Sequence, residues 1–176
     1  RDLHSFPTRR SSDLINEAFQ RQVLLPCGGY LVIDETEALI AIDVNTGRNK
    51  GTKDLDKTIL DTNLEAAYEI ARQLRLRNIG GLVVVDFIDM RHRKDQQAVY
   101  KAMKDRLKRD KAKTQVLQIT PIGLMEMTRQ RLNESLRESV HDPCPYCGGR
   151  GRVKSVMTMS VEIQRQIYAC IQKYRE

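Results

Sequence analysis

Two β-branched runs, each ending near an aspartate and separated by one helical stretch, restrict this chain more than any other feature. The first is Ala38–Val44 (ALIAIDV) and the second is Leu82–Ile88 (LVVVDFI). Both are strand-sized, and the second is a continuous apolar run that suits a strand buried on both faces. Between them, from Lys57 to Arg77, the apolar residues Leu60, Leu64, Ala67, Ala71 and Leu74 recur at steps of three and four, with Ile59 and Ile70 alongside. That spacing predicts an amphipathic helix of about six turns at about 3.6 residues each. Asp54 or Asp56 is placed to cap its start and Gly80-Gly81 to end it. Strand, helix and strand in this order need a crossover connection, which predicts parallel pairing of the two runs.

The flanking segments extend this unit. Tyr30–Asp34 (YLVID) is separated from ALIAIDV by Glu35-Thr36-Glu37, a hairpin-like spacing. A second helical segment, Gln96 to Arg109, leads into TQVLQI, a third β-type run. The stretch beyond Gly123, rich in Met, Arg and Glu, reads as helical to about Val140, with Pro143 as its stop. A knuckle, CPYCGGRG, then leads to a last amphipathic segment from Ser155 to Tyr174. The expected class is α/β: a central, largely parallel or mixed sheet with flanking helices and the first hairpin at its side.

A chain of 176 residues can hold one ordinary domain and a small appendage. No apolar run approaches the roughly 20 residues that cross a bilayer. The net charge of +7 is concentrated: from Arg91 to Lys113 ten Lys and Arg stand against three Asp. A polyanionic partner and a solvated helix face both account for such a run. Of four cysteines only Cys144 and Cys147 are close together, and nothing resembles a disulfide framework, so a reducing cytoplasm is expected. Cys27 and Cys170 read as plain buried thiols. Residues 1–14 break the pattern that starts at Ile15 and read as a non-native or disordered leader, outside the fold argument.

The acids carry the chemistry. Strand alternation puts Ala41, Asp43 and Asn45 on one face, and likewise Val84, Asp86 and Ile88. Each run therefore delivers one acid near its carboxyl end, where parallel sheets open a crevice. Two adjacent carboxylates repel, and a divalent cation removes that cost; oxygen-only ligands favour Mg²⁺ or Mn²⁺ over zinc. Asn45 is placed to orient a water or a phosphate oxygen, Asp89 is a third candidate acid, and the loop NTGRNKG offers Arg48 and Lys50 to phosphate. Either acid alone is as readily a cap for a loop or a helix start. Both together, beside a basic segment, suit metal-assisted phosphodiester hydrolysis.

Cys144-Pro-Tyr-Cys147-Gly-Gly has the form of a zinc knuckle, two thiolates on a tight turn. A structural zinc takes four ligands, and the missing pair is open to Cys27, to His141 or to the same knuckle of a second chain. A redox pair is the competing reading, though such motifs usually open a helix and the double glycine opposes that.

The segments AFQRQVLLPCGGYLVIDETEALIAIDVNTGR, TNLEAAYEIARQLRLRNIGGLVVVDFIDM, GLMEMTRQRL and CPYCGGRG, in this order, resemble the catalytic core of the bacterial ribonuclease E/G family, on its ribonuclease G-like side. The resemblance implies a DNase I-like subdomain over residues 15–142, a zinc link over 143–151 and the start of a small helical dimerisation domain over 152–176. By motif, it makes Asp43 and Asp86 the Mg²⁺-binding acids and Asn45 their assistant. It makes Cys144 and Cys147 the pair that shares one zinc with the same pair of a partner subunit, giving a homodimer and leaving open a dimer of dimers. Its activity is internal cleavage of single-stranded, AU-rich RNA to a 5′-phosphate and a 3′-hydroxyl, in rRNA processing and mRNA decay. The family's S1 domain and 5′-monophosphate sensor have no counterpart here, so a catalytic-core fragment is expected, with a non-catalytic, zinc-stapled RNA-binding fragment as the alternative.

Overall fold

The computed structural model describes residues 16–36, 38–47, 55–142, 144–149 and 151–173. The chain divides into two compact units, one ending at Val140 and one starting at His141.

The first unit is a mixed α/β layer structure. In chain order it contains β1 (Gln22–Leu24), β2 (Tyr30–Glu35), β3 (Ile40–Asn45), α1 (Leu55–Leu76), β4 (Gly81–Asp86), α2 (Arg93–Leu107), β5 (Thr114–Val116), β6 (Leu124–Arg129) and the short α3 (Leu136–Val140). The strands form one six-stranded sheet in the order β1-β2-β3-β4-β6-β5. Only β3 and β4 run parallel; the other four pairings are antiparallel. The expected parallel pair is therefore present, joined by α1 as the crossover requires, but the sheet is mostly antiparallel.

The largest correction concerns Gly123 to Arg129. This stretch is a strand, not a helix, with Met125, Met127 and Arg129 buried and Glu126 and Thr128 exposed. Its period is two, which the scattered charges conceal because Arg and Glu also fit a helical surface. β6 takes the place beside β4, so β5 pairs with β6 at the edge and not with β4 as a further crossover strand.

The core lies on one face of the sheet. Leu31, Ile33, Ile42, Val83, Val85 and Met125 point into it and meet Ala66, Ala67, Ile70, Ala71 and Leu74 of α1. The small side chains of three alanines let the helix axis approach the sheet closely, while Ile70 and Leu74 each gain about 1.5–3 kcal/mol from full burial. α2 packs against α1 and adds the stripe Val99, Met103 and Leu107. The opposite face of the sheet carries Asp34, Asp43, Asp86, Glu126 and Thr128, and Leu82 there is 42% exposed. β4 is thus buried on one face only, contrary to the expectation from its continuous apolar run. An uninterrupted apolar sequence names no face, and the alternation of burial along Leu82–Asp86 supplies it.

α1 ends at Leu76 and is closed by a turn at Asn78, not by the glycine pair. The Asn78 backbone has φ 51°, its N–H donates to Arg75 O, and Ile79 N–H donates to Leu74 O. These two bonds satisfy the last carbonyls of the helix with asparagine in the left-handed position. A buried ion pair closes the far corner: the Arg129 guanidinium donates to both Asp110 carboxylate oxygens at 2.8 and 3.1 Å and to Ile79 O at 2.5 Å.

The second unit contains the cysteine turn and α4 (Val156–Lys173). No residue of α4 is buried, and Val156, Met157, Ile163, Ile167 and Tyr168 are all exposed. Cys170 on this helix is accordingly exposed, and Cys27 in the sheet unit is half-buried; neither is the fully buried thiol expected from sequence. Among the described residues no helix is long and apolar enough to cross a membrane.

Candidate active site

Parallel pairing of β3 with β4 sets Ile40 opposite Val83 and Ala41 opposite Val84, and by the same register Asp43 opposite Asp86. Both strands end at this point in the same direction, so both carboxylates reach the same edge on the open face of the sheet. They line a cleft of about 310 Å³ together with Asn45, Thr46 and Asp89. Asp43, Asn45 and Asp86 are brought together as the alternation and strand ends predicted, and Asp89, the third candidate acid, joins them from the loop after β4. Arg48 and Lys50 lie outside the described residues.

Each member is held by a local device. The Asn45 amide donates to one Asp43 carboxylate oxygen at 2.8 Å, which orients that acid at the cleft wall. Gly47 follows in the left-handed region at φ 59°, and a Cβ there would lie 2.4 Å from Gly28 O. Only glycine lets the end of β3 pack so closely on the turn before β2.

On the other side the loop after β4 is clamped by Asn63, a fully buried residue of α1. Its side-chain amide donates to Ile88 O at 2.8 Å, and Ile88 N–H donates back to its carbonyl oxygen at 3.1 Å. This pair of bonds fixes the backbone between Asp86 and Asp89. Gly123, at φ 85°, approaches from the β5–β6 turn, and a Cβ there would lie 3.0 Å from the Asp89 carboxylate. Neither Asn63 nor Gly123 was singled out as a site residue by sequence. The available signal was Asn63 itself, an amide within the apolar stripe of a helix, where a polar group needs a partner.

Electrostatics mark the cleft as short of positive charge. Burial pushes the Asp86 carboxyl above its ordinary range, and the charges of Asp43 and Asp89 push it further. A carboxyl whose ionisation is opposed by two neighbouring acids fits a cation. Among the described residues no group of three or more His, Cys, Asp or Glu side chains converges as a closed metal cage. The donor set is thus two paired carboxylates with an open side, the kind of partial shell in which Mg²⁺ keeps waters and takes substrate phosphate oxygens.

The cysteine pair belongs to the other unit. Residues 145–149 form a turn, Cys144 is exposed and Cys147 half-buried, and Gly151 N–H donates to Cys147 Sγ at 3.3 Å. The Cys144 thiol is lowered by the backbone N–H groups of Cys147 and Tyr146 and by the Cys147 side chain. A turn that stabilises thiolate suits a metal ligand pair. Cys27 is tied elsewhere: its Sγ lies 3.8 Å from Thr62 Oγ1, its N–H donates to Glu65, and burial raises its thiol.

The sequence model of the ribonuclease E/G family matches residues 4–132. Among curated proteins, ribonuclease G of Salmonella typhimurium (strain SL1344) is 47% identical over 153 residues, 87% of this chain and 31% of the relative. Ribonuclease E of Haemophilus influenzae is 52% identical over 151 residues, covering 86% of this chain and 16% of the relative. Ribonuclease E of Escherichia coli (strain K12) is 51% identical over 153 residues, covering 87% and 14%. The chain therefore spans less than a third of the length of these relatives.

Proposed function

This chain belongs to the ribonuclease E/G family, and from that premise we propose that it carries the cutting centre of a metal-dependent endoribonuclease, with Asp43 and Asp86 as the metal-binding carboxylates. The observation that carries the reading is the strand register that sets these two acids side by side at one open cleft. A divalent cation, Mg²⁺ by the chemistry of the oxygen donors, would relieve the repulsion between them, polarise the scissile phosphate and activate water. Asn45 holds Asp43 in its orientation, and Asp89 adds an accessory carboxylate at the cleft wall. In-line attack of water on phosphorus breaks the P–O3′ bond, which leaves a 3′-hydroxyl on one product and a 5′-phosphate on the other.

The substrate in this reading is single-stranded, AU-rich RNA, and the processes served are rRNA processing and mRNA decay, in the cytoplasm. The unit through Val140 then acts as the DNase I-like catalytic subdomain. Cys144 and Cys147 bind a structural zinc shared with the same pair of a partner subunit, and the exposed apolar residues of α4 begin the dimerisation domain. The thiolate-stabilising turn and the bare face of α4 support that assignment.

The test is incubation of a 5′-labelled single-stranded RNA with the chain in Mg²⁺ and in EDTA, beside the Asp43→Asn and Asp86→Asn variants. Internal cuts that need the metal and vanish in both variants are the expected result. Cleavage at an unchanged rate in both variants, or RNA bound but intact in Mg²⁺, contradicts it; the second outcome favours a non-catalytic RNA-binding fragment.

A further inference from the structure

A second cavity is lined in part by the residues that follow directly, along the chain, on those of the acid cleft. It measures about 490 Å³, and its lining includes Arg91, Arg93, Gln97, Tyr100, Gln118 and Pro121. Its volume falls in the roughly 300–1,000 Å³ range of ligand pockets. Asp89 lines the acid cleft and Met90, the next residue, lines the cavity, so the loop after β4 contributes to both. That loop is held at two points, because Asn63 clamps Ile88 and the Gln96 amide donates to Met90 O at 3.1 Å.

The lining has the chemistry of a nucleotide site. Tyr100 is half-buried and packed on the core, with the Lys104 ammonium 5.7 Å from its ring centroid, which fixes a ring that a base can stack on by its remaining surface. Arg91 and Arg93 make no ion pair among the described residues, whereas Lys108 is paired with Asp105 and Arg106 lies over the Tyr68 ring. The basic segment therefore contains cations used within the fold and others, Arg91 and Arg93 among them, that make no ion pair among the described residues; these two are the ones that line the cavity. Cations in the first turn of a helix oppose its dipole, so Arg93 weakens α2 and local stability does not account for it. The side-chain amides of Gln97 and Gln118 provide donors and acceptors for a base edge.

Resting on the reading of the acid cleft as a ribonuclease centre, we propose that this cavity is a nucleotide subsite. It takes a base on Tyr100 and the adjoining phosphate on Arg91 and Arg93, from the part of the RNA strand next to the bond being cut. Arginine suits the phosphate role through its planar fork of donors. The strand then passes over the loop that contributes to both cavities, and the grip on its neighbouring nucleotide positions the scissile phosphate over Asp43 and Asp86.

The test separates binding from cutting. Anisotropy of a short labelled single-stranded oligoribonucleotide is measured in EDTA across a salt series, for the intact chain, the double variant Arg91→Gln/Arg93→Gln, Tyr100→Ala and Tyr100→Phe. The double variant is expected to lose about tenfold in affinity and to lower the log–log salt slope by about 1.4, two phosphates at about 0.7 each. Tyr100→Ala is expected to lose about tenfold and Tyr100→Phe to bind as the parent. Should Tyr100→Ala fail to fold by circular dichroism, the exposed arginine pair still decides the matter. Unchanged affinity and slope in the double variant overturn the subsite, as does loss of binding to polyglutamate with RNA binding intact, which points to an acidic protein partner. Cleavage in Mg²⁺ is scored apart: a parent that cuts while the double variant binds and cuts equally removes the subsite alone. A parent that binds through these residues without cutting removes the nuclease reading alone.

Discussion

The side chain of Asn63 and the backbone of Ile88 exchange two hydrogen bonds, at 2.8 and 3.1 Å, so a helix amide pairs with a loop as one strand pairs with another. Both acids of the β4 loop, Asp86 and Asp89, flank that contact. Asn63→Leu removes both bonds and leaves two backbone groups unpaired in the interior, a loss of about 2–3 kcal/mol. Its effect on cutting is expected to exceed its effect on RNA affinity, because a displacement of about 1 Å at the acids costs roughly 100-fold in rate. Cleavage rate, RNA anisotropy in EDTA and thermal melting of the same variant check this; a variant that melts lower yet cuts at the parental rate contradicts it.

Asp86 is expected to be a stability cost in the absence of metal. Burial first, then Asp43 and Asp89, raise its carboxyl above the ordinary value. Below the unfolded pKa of about 3.9 the acid is neutral in both states and there is no penalty. As pH rises from there through the raised folded value, the unfolded chain ionises first and folded stability falls. At neutral pH Asp86→Asn should therefore melt slightly higher than the parent in EDTA. The gain is a fraction of about 1 kcal/mol, since the group is largely exposed and solvent screens it. Added Mg²⁺ should raise the parent's melting temperature and leave the variant unchanged. Differential scanning fluorimetry across pH, with and without Mg²⁺, reads both effects.

The opposite sign is expected at Asp110. Burial pushes its carboxyl up, but the Arg129 fork, the Ala112 N–H and the charges of Arg129 and Arg75 outweigh burial and hold it below the usual range. Its contribution is present above the unfolded pKa of about 3.9 and is lost as pH falls through the lower folded value. The two side chains are only 4% and 3% exposed. Asp110→Asn leaves Arg129 buried without its counter-charge and should cost about 3–5 kcal/mol at neutral pH. Urea titrations at neutral pH and near pH 3 should show a gap between parent and variant that narrows in acid.

The proposed shared zinc predicts a dependence of assembly on thiolate. Cys144→Ser, or treatment with a strong chelator, should convert dimers to monomers in sedimentation, while the sheet unit keeps its melting transition. Dimers that persist after both treatments would assign the assembly to the apolar residues of α4 alone.

The site was more legible than the fold around it. Asp43, Asn45 and Asp86 follow from strand alternation and from the single crossover, both of which are local properties of the chain. Asp89 follows from its nearness to Asp86. The direction of the outer strands did not follow, because pairing between β4 and β6 joins residues about 40 positions apart and no nearby residue specifies it. Met125 and Met127 gave the wrong period because methionine favours helices and the flanking charges fit either pattern. The end of α1 was missed for a related reason. Asn78 takes the left-handed position that glycine usually fills, and the glycines after it lie against Arg131.

Along β3 and β4, successive residues serve opposite masters. Ile42, Val44, Val85 and Phe87 anchor the layer against the helices, while Asp43 and Asp86 between them face the cleft. The two sets share a backbone and almost nothing else. Variation on the open face at Ala41, Val84 or Glu126 can therefore reshape what the cleft accepts with little effect on whether the chain folds. Variation at the intervening positions does the reverse. A one-sided sheet of this kind separates the heritable problems of being stable and of being selective, residue by residue, along a single strand.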